Sequence, residues 1–252
     1  MTKLGPGALF GLVRELRSGA GDPRPIAVAG AKELAPLLAN ELRAGGDASA
    51  VREGGPVDGA SILVWIGPAD EEALRAAMRA RVPIVGVTEG ESLPYVLDTD
   101  LVTVQPGEGL PVEEVARKIA RKLGEQGTFL GARLPALRGA VVDELIRVFS
   151  RRNAFIGGAV WIPGVDMPLL TLNQIRLVMR IALAHGHTFD RSRVPELVGV
   201  VGAGFGFRAL ARQLLDLVPV AGWAVKGGIA YTGTRAVGEA AHRYFESVRP
   251  GS

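Results

Sequence analysis

Apolar residues in the first half of this chain fall in short blocks, and the residues after most blocks repeat at helical spacing. Pro25-Ile-Ala-Val-Ala-Gly30 is an apolar strand ending in glycine, and residues 32–43 carry leucines at 34, 37, 38 and 42, the spacing of one helix face. The alternation continues with an edge strand at 48–52, a buried strand at 61–66, a helix at 70–81, strands at 82–87 and 101–104, and a helix at 112–126. Strands alternating with helices predict an α/β fold, a parallel doubly wound sheet covered on both faces. Leu9, Leu12, Val13 and Leu16 mark an N-terminal amphipathic helix within 1–23. The sheet domain is therefore expected at 24–126, with 127–133 as a linker.

Residues 134–252 read as a mainly α-helical, glycine-rich domain. Leu134, Leu137, Val141, Leu145, Val148 and Phe149 form one apolar face of a helix reaching Arg151. Asp166 followed by Pro168 is a helix-start signature, because the carboxylate accepts free first-turn amides and proline has no amide to lose there. That helix should run over 167–185 and end in a left-handed cap at Gly186. A second helix is expected from near 192–195, and a third after Val218-Pro-Val-Ala-Gly222 as far as Phe245. Gly202 and Gly206 are four apart, as are Ala230, Thr234 and Gly238, and small residues at that spacing flatten a helix face for close approach of another helix.

Charge and composition narrow the function classes. The 252 residues include no cysteine, which removes disulfides, thiol nucleophiles and thiolate metal sites and makes a reducing cytoplasm the expected compartment. Residues 1–133 hold 15 Lys/Arg against 18 Asp/Glu, net −3, whereas 134–252 hold 14 against 8, net +6. A basic, apolar half suits an anionic lipid face or an acidic partner. The longest charge-free run, 153–165, has thirteen residues and contains Pro163, too short for a spanning helix. Peripheral attachment is the expectation that follows.

In a doubly wound sheet ligands sit beyond the C-terminal ends of the strands, so the tips near Gly30, Gly67, Thr88 and Gln105 carry the candidate chemistry. A phosphate loop needs glycine-rich backbone amides, a lysine for phosphate charge and a Ser/Thr for magnesium. The first tip reads Ala29-Gly30-Ala31-Lys32-Glu33, with one glycine and with Glu33 where the hydroxyl is required. The run from Ile62 to Leu123, with Ile-Leu-Val-Trp-Ile66, Val82-Pro-Ile-Val-Gly-Val-Thr88 and Val102-Thr-Val-Gln-Pro-Gly-Glu-Gly109, resembles the back half of an Era-like bacterial GTP-binding domain. The resemblance implies an Asn-Lys-x-Asp stretch for guanine. Its place here is taken by Thr88-Glu-Gly-Glu-Ser92, so the expectation is a pseudo-GTPase domain without nucleotide.

The runs Trp161-Ile-Pro-Gly-Val-Asp-Met-Pro-Leu-Leu170, Leu217-Val-Pro-Val-Ala-Gly-Trp223 and Thr232-Gly-Thr-Arg-Ala-Val-Gly238 resemble the helical domain that follows the GTP-binding domain in some Era-like GTPases and in YcjF-like inner-membrane proteins. Pro163, Gly164, Asp166, Gln174, Gly222, Thr234 and Gly238 match that pattern, and the resemblance implies membrane association. With Gly202 and Gly206 these residues are assigned to a helix-packing or partner face. No catalytic, cofactor-binding or metal-binding residue is assigned.

Two competing chemistries remain. Leu197-Val-Gly-Val-Val-Gly-Ala-Gly-Phe-Gly206 resembles the opening of a dinucleotide-binding fold, the alternative being an oxidoreductase, but bulky Phe207 stands where a third small residue is needed. His185, His187 and Asp190 could form a metal cluster only around the turn at Gly186, and a basic helix end is the expectation; His242 is read as an isolated surface or boundary residue. The chain is thus expected to be a non-catalytic, membrane-peripheral or partner-binding protein at the inner face of the cell membrane. Its expected partner is an anionic membrane surface or a membrane protein, with a homo-oligomer also possible and nucleic acid not expected.

Overall fold

A computed structural model describes residues 24–55, 57–105, 107, 109–159, 166–187 and 223–248. The expected helix within 1–23 lies outside them, as do Pro163, Gly164, Gly202, Gly206 and Gly222. The chain divides into two compact units between Glu144 and Leu145.

The first unit is an α/β domain. Its five strands are β1 (Ile26–Gly30), β2 (Val51–Glu53), β3 (Ile62–Ile66), β4 (Ile84–Thr88) and β5 (Leu101–Thr103), all parallel, in the order β2-β1-β3-β4-β5. Every residue of β3 and β4 is buried, which is why these strands read as unbroken apolar runs rather than alternating ones. Successive side chains still point to opposite faces. Ala27, Leu63, Trp65 and Ile84 join Leu74 and Ala77 of α2 (Glu71–Arg79) in one core cluster. The alternate residues Ile26, Val28, Ile62, Val64 and Val85 are buried on the other face, the side of α1 (Leu34–Arg43) and α3 (Val112–Leu123). The sheet is doubly wound.

Local chemistry sets the helix ends. Asp70 Oδ1 accepts from the amides of Glu72 and Ala73, both at 3.1 Å, so α2 starts there with Glu71 and Glu72 in its positive first turn. The expected edge strand at 48–52 is split. Asp47 caps a 3-10 turn, Ala48–Ala50, by accepting from Ser49 N at 2.9 Å, and pairing begins only at Val51. Arg43 reaches the edge of β2, where its Nη2 donates to Val51 O at 3.0 Å. Residues 127–133, expected as a linker, are mostly helical: a 3-10 turn, Gly124–Gly127, leads into α4 (Thr128–Arg133). Thr128, which is buried, donates to Glu125 O at 2.7 Å, and Arg133 pairs with Asp47 at 2.9 Å.

Two of the crossovers contain no α-helix. The described residues 54–55, 57–61 and 89–97 run as loops and lay Val57, Ala60, Leu93 and Val96 onto the face that α2 covers only in part. Gly86 on β4 makes room for this arrangement, because a β-carbon there would lie 2.5 Å from Leu93 Cδ1 and 2.6 Å from Leu101 Cδ2.

The second unit is helical. Its described elements are α5 (Pro135–Ala159), within which the division between units falls, α6 (Asp166–Ala184) and α7 (Trp223–Ser247). The helix expected to stop at Arg151 continues through Gly157 and Gly158 to Ala159. α6 ends as its sequence implies: Gly186 has φ +84°, its amide donates to Leu183 O at 2.9 Å, and His187 N donates to Ala182 O at 3.0 Å.

Replacing Gly86 by Val should push Leu93 out of its seat and destabilise the α/β unit by about 1–3 kcal/mol. Urea unfolding followed by Trp65 fluorescence, in a chain whose Trp161 and Trp223 are replaced by Phe, measures this, and the m-value should stay constant.

Candidate functional site

The strand tips at the reversal of the winding, between β1 and β3, are where a sheet of this order binds ligands. Gly30 has φ +123°, and a β-carbon there would lie 2.0 Å from Ile66 O. The next amide, Ala31 N, donates to that same carbonyl at 2.7 Å. Gly67 closes the contact from the β3 side, since its β-carbon position lies 2.9 Å from Ala31 Cβ. The crevice between β1 and β3 is therefore shut at its base by backbone against backbone. Lys32 and Glu33 are exposed beyond it, and Glu33 stands at the N-cap of α1 without a capping bond.

The other tips satisfy themselves in the same way. Buried Thr88 donates through Oγ1 to Glu91 O at 2.8 Å and accepts from Gly90 N at 3.3 Å, leaving Glu89 and Glu91 exposed. Trp65 Nε1 donates to Pro68 O at 2.9 Å. Tyr95, at φ +64° in the loop after β4, accepts from Arg75 Nε at 3.0 Å, and Arg75 also pairs with Glu71.

The helical unit contains a different kind of site, a polar knot at the crossing of α5, α6 and α7. Asn153 on α5 donates from Nδ2 to Thr234 Oγ1 on α7 at 2.8 Å. Asn173 on α6 donates to Asn153 Oδ1 at 3.0 Å, and Gln174 Nε2 stands 3.5 Å from the Thr234 hydroxyl, at the limit of a useful bond. Asn153 and Thr234 have no exposed surface. Backbone proximity makes the knot possible. A β-carbon on Gly238 would meet Ile146 Cγ1 at 2.6 Å and Leu177 Cδ2 at 3.2 Å, and one on Gly157 would meet Ala230 Cβ at 2.9 Å. Gly227 brings α7 against Ala154 O, 3.0 Å from its β-carbon position. Ala230, Thr234 and Gly238 thus form the flat face that lies against α5.

Two turns further along α7, His185 Nε2 and His242 Nδ1 are 3.0 Å apart, so one imidazole donates and the other accepts. His185 is buried, and the His187 ring packs 5.1 Å from that of Phe245. This corrects the reading of His242 as isolated. The stripe Ala230, Thr234, Gly238, His242 keeps one helical spacing, so the half-buried residue stands at the boundary, as expected, but as the last member of the seam and with a partner. Among the described residues no group of three or more His, Asp or Glu is placed to hold a metal ion.

Of the residues assigned from sequence to a packing or partner face, Gln174, Thr234 and Gly238 come together at this crossing, and Asp166 is the first residue of α6. Pro163, Gly164, Gly202, Gly206 and Gly222, with the proposed dinucleotide loop and Asp190, lie outside the described residues. Sequence reasoning missed Asn153, Asn173, Gly157 and Gly227. A signal for the asparagines was present: Leu145, Phe149 and Asn153 share one spacing, as do Asn173, Leu177 and Ile181, so each amide sits on an apolar stripe. Amides and hydroxyls do not titrate near neutral pH, so the knot fixes helix register and moves no protons. Compared with protein-family models, curated proteins and solved structures, the chain finds no match.

Replacing Thr234 by Val keeps its shape but leaves the Asn153 amide buried without a partner, which should cost about 1–3 kcal/mol in urea unfolding. Measured against an Asn153→Leu parent, which has its own cost because Asn173 loses its acceptor, the further loss from Thr234→Val should be smaller, because the Asn153 donor is no longer there to strand.

Acid should weaken the same unit through His187. Burial lowers the pKa of its imidazole from 6.5, against a smaller upward push from a hydrogen bond with the Val248 backbone. The unfolded chain therefore takes up this proton first, and stability falls as pH drops below about 6.5. Thermal melting between pH 7.5 and 5, scales set by that ordinary imidazole value, should show a smaller decline in a His187→Gln variant than in the parent.

Proposed function

We propose that the chain is a non-catalytic, membrane-peripheral or partner-binding protein of the cytoplasm, with a pseudo-GTPase α/β unit and a helical unit that works at the inner face of the cell membrane. The observation that carries this reading is the Ala31 amide. In a phosphate loop the amides after the first strand point at the anion; here that amide is occupied by Ile66 O at 2.7 Å, and Gly30 leaves no room beside it. Glu33 at the N-cap of α1 adds a carboxylate where phosphate charge would gather.

Support for the membrane side is of a different kind. Among the described residues no helix is long and apolar enough to cross a membrane. The excess of positive charge, +6, belongs to residues 134–252, the half dominated by helices. Attraction to anionic headgroups is about 1 kcal/mol per surface cation and is screened by salt, so a few arginines on one face are enough for reversible attachment.

Calorimetry with GTP and magnesium tests the first half of the reading: no binding heat is expected, and micromolar, magnesium-dependent affinity would overturn it. Flotation of the full chain with phosphatidylglycerol-containing vesicles tests the second. Binding should be present at about 0.05 M salt and largely lost at about 0.5 M, and a chain that stays at the bottom of the gradient at low salt is not a membrane-peripheral protein.

A further inference from the structure

We infer that one end of the helical unit, where α5 finishes and α6 and α7 begin, is the surface that meets the anionic bilayer, with Phe155 as the residue that enters it. The inference rests on the membrane reading above and gives it a location. Helix register defines the end. Asn173 meets Asn153, Thr234 meets Asn153, and Gly238 lies between Ile146 and Leu177, so α6 and α7 run alongside each other and against α5. Gly157 near the close of α5 then faces the Lys226 carbonyl, 3.3 Å from its β-carbon position, near the opening of α7.

Phe155 is 75% exposed, more than any other large apolar side chain among the described residues, and it stands one turn after exposed Arg151 and Arg152 on α5. Leu169, in the first turn of α6, is 45% exposed. Lys226, in the first turn of α7, is exposed. The helix-end stretches 150–159, 166–173 and 223–234 together carry Arg151, Arg152 and Lys226 against one carboxylate, Asp166.

An aromatic side chain held out in water beside paired arginines is costly for a surface that stays in water and suited to one that meets headgroups. The ring enters the acyl boundary, and the guanidinium groups bind lipid phosphate. The occupant this chemistry selects is a sheet of anionic lipid. An acidic protein surface would engage the same arginines and is the outcome that the immobilised-protein arm below detects.

The test uses the full chain in flotation with vesicles of phosphatidylcholine alone or mixed with phosphatidylglycerol. The variants are Phe155→Ser, Arg151→Gln with Arg152→Gln, and a control, Leu97→Ser, which removes a comparably exposed apolar side chain, 67% exposed, from the α/β unit. Losing both arginines should weaken partitioning onto anionic vesicles about 30-fold, from roughly five-fold per cation. Phe155→Ser should weaken it about ten-fold or more, with unchanged helix content by circular dichroism, and Leu97→Ser should leave it as in the parent. If the parent floats and the Phe155 and arginine variants float equally well, this end is not the contact, although the membrane reading survives. If the parent does not float, both fall. If an immobilised acidic protein retains the parent and loses the variants while vesicles do not, the surface is a protein interface and the proposal is overturned.

Discussion

A buried amide must find hydrogen-bond partners, and Asn153 finds them at one register of three helices. Sliding α7 by a turn would set its Nδ2 against Ala230 or Gly238 instead of the Thr234 hydroxyl, 2.8 Å away, and sliding α6 would remove the Asn173 donor from its oxygen. Apolar contacts tolerate such shifts much better, because hydrophobic attraction has little direction. The knot is also the reason that small residues matter around it. Gly157, Gly227 and Gly238 let the backbones come near enough for short asparagine and threonine side chains to meet, and larger residues would hold the helices too far apart for those bonds. The glycines give proximity and the amides convert it into a single alignment.

The α/β unit obtains its order by the opposite means. Its core contains little polar specification, and what decides the arrangement is the covering of both sheet faces. One face has two helices. The other has one helix and two loops, and the loops succeed only because Leu93 fits the space above Gly86. The same economy shapes the strand tips. A crevice at the point where the winding reverses is the usual place for a ligand, and here the chain itself fills it with the bond from Ala31 to Ile66.

How far the sequence could be read depended on whether a residue's role was local. β1, β3 and β4 were legible because an unbroken apolar block flanked by glycine has few other solutions. The cap at Asp70 and the left-handed end at Gly186 were legible for the same reason, since each acts within a few residues of itself. Ala48–Ala50 was misread because apolar composition suggested a strand, and only the Asp47 carboxylate turning back on Ser49 shows the 3-10 turn. The helix expected to reach Arg151 runs on to Ala159, because Gly157 and Gly158 in its last turn pack against α7, a contact that no local signal shows. His242 looked isolated because its partner, His185, is 57 residues away.

The narrow edges of the sheet have a bearing on how this protein can meet others. An open margin of unpaired amides and carbonyls is a template for foreign strands, and the usual defences are brevity and charge. β2 and β5 are each three residues long, and the carbonyl of Val51 on the β2 margin is already taken by the Arg43 guanidinium at 3.0 Å. Lys122 stands close by the other margin, bound to Asp100 just ahead of β5 at 2.5 Å. Strand addition is thereby discouraged at both sides, which protects the folded unit from the chain-upon-chain growth that leads to fibrils and leaves side-chain surfaces as the route by which it recognises anything else.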